Sequence, residues 1–358
     1  MRGAVFWAGL ALLATFGSGG SVQGADCRLA GGGEGPKAPF VRQLGVNCSD
    51  REREAQAVPA AEIMAALQDG RDVELDGVAV SGDLFLDALP DVPMDGLPAV
   101  PERVREVLIS RPVKTVKQLT GKLRLTHAVV HGILSTRLQA GALIVRQPAN
   151  FTGTRFEGAV DWSQAAFVGA VDFSDAVFFA EAYFLNSVFA EAATFERTAF
   201  GVHSRFHHAQ FHGPVTFNRA GFNGLSEFLE VTFAQDAQWS RTYFKLGTGF
   251  SGSRFGGVLD FSEAVFDKDA FFTYTIFERD AYFRRATFRA TADFSDAEFR
   301  QLGDFSKVLF EQAPTLTRTK LATPPRGAGG LEDPRTLYVI AALLGVFTLA
   351  LVLFLRKG

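Results

Sequence analysis

His203, His207, His208 and His212 fall within ten residues, the densest set of potential metal ligands in the chain. Imidazole suits zinc, copper or nickel, but a metal site wants three or four groups converging on one point. On a helix this spacing would put pairs on one face. On a chain of short strands, His207 and His212 would point outward from adjacent faces. The pattern favours a solvated surface over a weak divalent site. Carboxylates are also suggestive, because Asp172, Asp260, Asp293 and Asp304 each stand immediately before an aromatic residue. Catalytic carboxylate pairs need a cleft and separated pKa values, whereas regular recurrence suits a polar outer surface. No phosphate-binding loop, nucleophile elbow or paired-cysteine metal motif occurs, so no catalytic residue and no cofactor are expected. Cys27 and Cys48 are the only cysteines. In an oxidising compartment such a pair makes a disulfide rather than a metal site.

Charge and composition restrict the partners. The chain of 358 residues has 36 Lys+Arg against 39 Asp+Glu, a net charge of −3, which offers no basic surface for nucleic acid. Hydrophobic residues make up 47%, too many for a disordered chain.

The two ends carry address signals. Arg2, the apolar stretch Ala4–Phe16 and the small residues of Gly17–Ala25 read as a signal peptide over residues 1–25, with cleavage after Gly24 or Ala25. Leu337–Leu355 is 19 residues without a charge, long enough for about 30 Å of hydrocarbon. Arg356 and Lys357 follow as a cytoplasmic flank. The expected topology is a single-pass membrane protein with its bulk periplasmic or extracellular and residues 356–358 inside. A processed surface-sorting tail is the competing reading of the same C-terminus.

What lies between is a repeat. Aromatics recur at alternating spacings of five and six over residues 151–310. One series runs Phe151, Trp162, Phe173 and on by elevens through Phe217, Phe228, Trp239, Phe261 and Phe294 to Phe305. The other begins at Phe156 and Phe167 and ends at Phe310, and all thirty positions of the two series are Phe or Trp. Two residues before each aromatic stands Ala, Ser, Thr, Val or Gly, except at Leu259. A small and a large residue two apart are the two inward positions of one short strand. Each restart then demands a corner, and a coil of short faces around a packed axis is a β-solenoid. A helix fails this pattern, since such steps give two separated stripes and the segment contains Pro214 and many glycines.

The unit Ala292-Asp293-Phe294-Ser295-Asp296, followed by Ala297-Glu298-Phe299, resembles the pentapeptide-repeat family. That resemblance implies a right-handed, four-sided β-helix. This chain departs from the family pattern by one extra residue in every second unit, as at Leu302. Four faces then take 22 residues, so aromatics 22 apart should stack and Trp239 should lie between Phe217 and Phe261. Some members of the family mimic DNA with a strongly acidic face, but residues 151–310 hold 20 Asp+Glu against 14 Lys+Arg, a mild excess.

The remaining segments follow from this frame. Residues 26–58 hold the cysteine pair, and 59–150 form a cap. Within the cap Pro59–Asp69 is helical, stopped by Gly70, and degenerate aliphatic coils place Val145, Ala140, Leu134, Val129 and Leu123 inward. The β-helix spans 151–312, and 313–336 is a linker rich in Pro, Gly and Thr. Val177, Ala199, Gly221, Tyr243, Val265, Thr287 and Leu309, each 22 apart, form an uncharged outward stripe, read either as a contact face or as plain β-propensity. The expected function is a non-enzymatic, membrane-tethered scaffold or interaction module. Its partner would be an envelope protein or a second copy. The alternative is a carbohydrate-active or weakly metal-binding envelope protein.

Overall fold

The computed structural model describes residues 27–323, except 33–34, 36, 46, 95–99, 111–113 and 139–140, together with Arg326. One strand and its corner explain most of it. Val171 and Phe173 are buried while Asp172 between them reaches solvent. After the aromatic the chain turns at once: the Ala176 N–H donates to the Phe173 carbonyl at 3.0 Å, and Asp175 adopts a left-handed φ of 58°. The same left-handed residue returns every eleventh position from Gln164 to Arg318, with Gly252 serving at one of them. Most occupants are ordinary L-residues, for which this conformation costs roughly 1 kcal/mol. The inter-coil ladder must therefore hold them. The six-residue steps make wider corners where successive coils approach closely. A Cβ on Gly213 would lie 2.4 Å from the Glu191 carbonyl carbon, so only glycine fits there.

The aspartates before the aromatics are structural at these corners. Asp161, Asp172, Asp260 and Asp293 each accept, at 2.8 Å, the N–H of the Ser two residues on. This is the local bond that Asp offers a turn, and it accounts for the Asp-aromatic-Ser pattern.

Four sheets of 12, 11, 9 and 11 strands result. Sheet A runs from Phe40–Gln43 to Gly303–Asp304, sheet B from Val58–Pro59 to Leu309–Phe310, sheet C from Leu84–Phe85 to Ala292–Asp293, and sheet D from Thr115–Leu119 to Lys320–Leu321. Each coil gives one parallel strand to each sheet, and from Val171 onward partners are 22 residues apart, as in Val171 with Ala193. The axis is filled by rings. Trp239 stacks on Phe217 at 4.0 Å and on Phe261 at 5.4 Å, and meets Phe228 of another column edge-on at 4.9 Å and 89°. Columns are thus stacked lengthwise and edge-to-face sideways, both favourable for the aromatic quadrupole. All ladder aromatics are buried except Phe305, which is partly so. Several inward hydroxyls are bonded to earlier carbonyls, as Thr242 Oγ1 is to Phe217 at 2.9 Å, whereas those of Ser204, Ser226 and Thr248 have no partner.

The N-terminal end is built from aliphatics. Helix α1 (Asp50–Glu54) starts with a capping box between Ser49 and Glu52. Helix α2 (Ala60–Gln68) begins after Pro59, and Gly70 follows its C-cap Asp69. Ile63, Ala66 and Leu67 of α2 are buried, the one-faced spacing of an amphipathic helix laid over an open end. Ala30–Gly32 and Asp91–Pro93 add antiparallel edge strands to sheets A and D. Cys27 and Cys48 are joined in a disulfide with Cα atoms 5.6 Å apart.

Several expectations need correction. Stepping back from Phe151 in the 5–6 rhythm placed Val129 inward, yet Val130 is the buried residue and Val129 faces outward. Four extra residues between Ser135 and Leu143 are the reason: Leu134 pairs with Val160, 26 positions on. Ala140 lies outside the described residues. Phe40 to Phe310 belong to one continuous core, so the boundaries at 58/59 and 150/151 do not separate packing units. The linker does not begin at 313. Leu316 and Leu321 continue the inward columns of Phe294 and Phe299, and Lys320–Leu321 pairs with Glu298–Phe299. Aliphatic residues there kept the register after the aromatic signal stopped. Helix α3 (Glu102–Ile109) was not foreseen. Its Val104, Val107 and Leu108 pack on Ile144, Ala166 and Val188, the outward residues of sheet D. The signal peptide at 1–25, the segment Leu337–Leu355, the tail 356–358 and most of the remaining linker lie outside the described residues. Among the described residues no helix is long and apolar enough to cross a membrane.

Candidate functional surfaces

The coil repeat decides which side chains meet, because a residue's nearest outward neighbours are 22 positions away. His203 on sheet C and His207 in the turn that follows it gather on Glu227, one coil on. His203 Nε2 stands 2.8 Å and His207 Nε2 3.4 Å from Glu227 Oε2, and Arg205 Nε donates to the same oxygen at 2.9 Å. Burial pushes Glu227 up, but hydrogen bonds from His203 and Arg205 outweigh it and hold the carboxyl below its ordinary range. Burial pulls His207 below the usual imidazole value, with Glu227 opposing. His208 points elsewhere, to Glu230 at 3.4 Å. His212 sits at the corner after sheet D, where burial and then the Arg103 charge of α3 lower its pKa. The four histidines thus split into three environments, and among the described residues no group of three or more His, Cys, Asp or Glu could hold a metal. Arg205 and Glu227 were missed from sequence, although the 22-residue rule applied at Arg205 leads directly to Glu227.

A second charged junction ties the cap to the coils. His131 Nε2 is 2.7 Å from Glu54 Oε1 of α1, and His131 Nδ1 is 2.7 Å from Glu157 Oε2. Burial lowers the pKa of this ring, yet the two carboxylates outweigh burial and leave it raised.

The uncharged stripe forms as a column. Val177, Ala199, Gly221, Tyr243, Val265, Thr287 and Leu309 pair successively along sheet B. Tyr243 is its most exposed member, and its hydroxyl donates to Asp267. Phe179, Val202, Leu225 and Leu246 are exposed along the adjoining corner toward sheet C, so the apolar surface is wider than the stripe. On sheet D the equivalent column is apolar at Ile144, Ala166 and Val188, where α3 covers it, and again at Ile276 between Arg254 and Glu298.

Two clefts lie elsewhere. One, of about 550 Å³, is on sheet D beside Arg254, Gly256, Glu278 and Arg279, with Glu278 bound by Arg254 and Arg300. The other, of about 290 Å³, is at the corner between sheets A and B around Arg219. Asp304, one of the carboxylates singled out by position, is buried and bonded to Arg284 at 2.7 Å. Burial raises its pKa, but the bonds from Ser306 and Arg284 prevail and lower it.

Among known proteins, a family model described as pentapeptide repeats (9 copies) matches residues 144–188, 250–298 and 272–320. No curated protein and no solved structure matches the chain. The matched stretches coincide with regular coils, and over them the chain is similar to pentapeptide-repeat proteins.

Proposed function

We propose that this protein is a membrane-tethered, extracytoplasmic and non-enzymatic interaction module, in which a right-handed, four-sided β-helix presents sheet B to a second copy of itself. The reading is carried by the outward column of sheet B, which keeps seven consecutive uncharged residues in register on a molecule otherwise laced with surface ion pairs. Sheet D supports it by example, since its outward Ile144, Ala166 and Val188 are covered by α3. Tethering at Leu337–Leu355 would hold copies parallel in one membrane, with identical ladders side by side, the geometry of a self-complementary two-fold contact.

A photo-crosslinking residue placed at Val265 tests the contact in cells carrying two differently tagged copies. Crosslinked dimer from position 265, and none from Thr216 on sheet A, is the expected result. Equal yields at both positions would reject the face. Protease added to spheroplasts tests the topology and should digest residues 151–310. Protection of that region would reverse the orientation.

A further inference from the structure

The cleft between sheets A and B is lined by Glu196, Asn218, Arg219, Ser240, Arg241 and Glu263, with Ser262 at its far end. Its construction follows from the coil repeat. The left-handed corner residue of five successive coils is Asp175, Arg197, Arg219, Arg241 and Glu263, so three arginines stack on adjacent rungs about 4.8 Å apart. The outer two are each held by a carboxylate. Arg197 makes two bonds of 2.7 Å to Asp175 and one of 2.5 Å to Glu196, and Arg241 bonds Glu263 at 2.8 Å. Arg285 approaches the other oxygen of Glu263 at 3.6 Å. Arg219 has a like charge one rung above and one rung below, and among the described residues no carboxylate engages it.

The polar side chains show the same imbalance. Asn218 Oδ1 accepts the Ser240 N–H at 2.8 Å, which turns its amide nitrogen to the cleft as a free donor. Ser240 Oγ is spent on Asp260 at 2.9 Å. The Ser262 hydroxyl has no bond, although its N–H is bound by Asp260. Every carboxylate at the cleft is therefore already bonded, whereas a guanidinium, an amide and a hydroxyl are not. A planar carboxylate would satisfy the guanidinium fork alone. The guanidinium and amide on one rung call for an anion with more oxygens, pointing in several directions, and the hydroxyl two coils on, about 10 Å along the axis, for a polar body that bears it.

We infer that the Arg219 cleft is a binding site for a tetrahedral oxyanion, a phosphate or sulfate group, carried on a polar small molecule or glycan. Arg219 supplies the charge and paired donors. Asn218 takes a further oxygen, and Ser262, two coils on, takes the hydroxyls of the body that bears the group, for which a cleft of about 290 Å³ leaves room. The inference does not depend on the tether or on self-association through sheet B.

Titration calorimetry of the full chain in detergent, at low ionic strength, tests it with inorganic phosphate and, separately, inorganic sulfate. Saturable binding of one or both is expected, and the ion that binds identifies the source. Arg219→Gln should weaken binding by about tenfold or more, the scale of one lost charge-assisted bond. Arg254→Gln, on sheet D and engaged by Glu278, should leave it unchanged. Arg219 is exposed, so its replacement leaves the fold intact, which the melting curve checks. No saturable heat with either ion, or equal binding by wild type and Arg219→Gln, overturns the assignment.

Discussion

The aliphatic coils at the N-terminus and the aromatic coils after Phe151 form one axis under different rules. From Ala79 to Val129 a single coil takes 50 residues, and from Val129 to Arg155 the next takes 26. Beyond Val171 the count stays at 22. Branched aliphatics pack against neighbours in many orientations, so a coil of Leu and Val tolerates a loop or a helical excursion such as the one carrying α3. Stacked rings tolerate neither, because nearly parallel rings with centroids 4.0 to 5.5 Å apart require the same backbone position on every rung. Regularity belongs to the part with flat side chains, and loops and helical excursions to the part without them.

The comparison can be broken most severely in the aromatic part. Phe228→Asp places an unpaired charge between Phe206 and Phe250 in a dry axis. It should cost more than about 4 kcal/mol and abolish cooperative folding of residues 151–323. A variant melting like wild type would mean that the ring column is not the core. A smaller effect, confined to the other end, is expected from reducing Cys27–Cys48. Releasing this cross-link should destabilise the cap by about 3 kcal/mol and leave the aromatic coils folded, so hydrogen exchange should rise over residues 27–76 alone. Exchange rising equally throughout would show that the two parts melt as one.

The smallest effect sharpens the contrast through pH. The folded pKa of His131 is raised, so its stabilising contribution is full below about 6.5, the unfolded value, and is lost as pH rises through the folded value. His212 is lowered, so its burden appears as pH falls below about 6.5 and grows down to the folded value. Both side chains are partly solvated and each effect should stay below about 1 kcal/mol. His131→Gln should lower the melting temperature at pH 6 but not at pH 9, and His212→Gln should make the protein less acid-sensitive. The same sign for both variants would contradict the two environments.

Much of this architecture was legible because a period of 11 with a small residue two before each aromatic leaves one solution, a coil with both inside. The axis, the stacking of Trp239 and the stripe on sheet B all follow from adding 22. Reading failed where aromatics gave way to aliphatics. The four extra residues before Leu143 shifted the register unseen, and Leu316 and Leu321 extended the coil past its apparent end. Apolar residues at Ile144, Ala166 and Val188, outward by the same count, were the available sign of α3. The left-handed corners left no sign, since Arg, Asp, Glu and His fill them where glycine would have announced them.

Sequence alone determined the fold class, the inward ladder and the rung spacing, because each depends only on neighbours along the chain and on a fixed period. The tertiary structure decided the charge pairing. Whether Arg219 is free and Arg197 is held depends on which carboxylates stand one coil away, on adjoining columns, and on the direction each corner turns them. The same holds for His203 and His207 meeting at Glu227, and for His131 bridging Glu54 and Glu157. Those contacts join residues 20 to 77 positions apart, and only closing the coil brings them within the reach of a hydrogen bond.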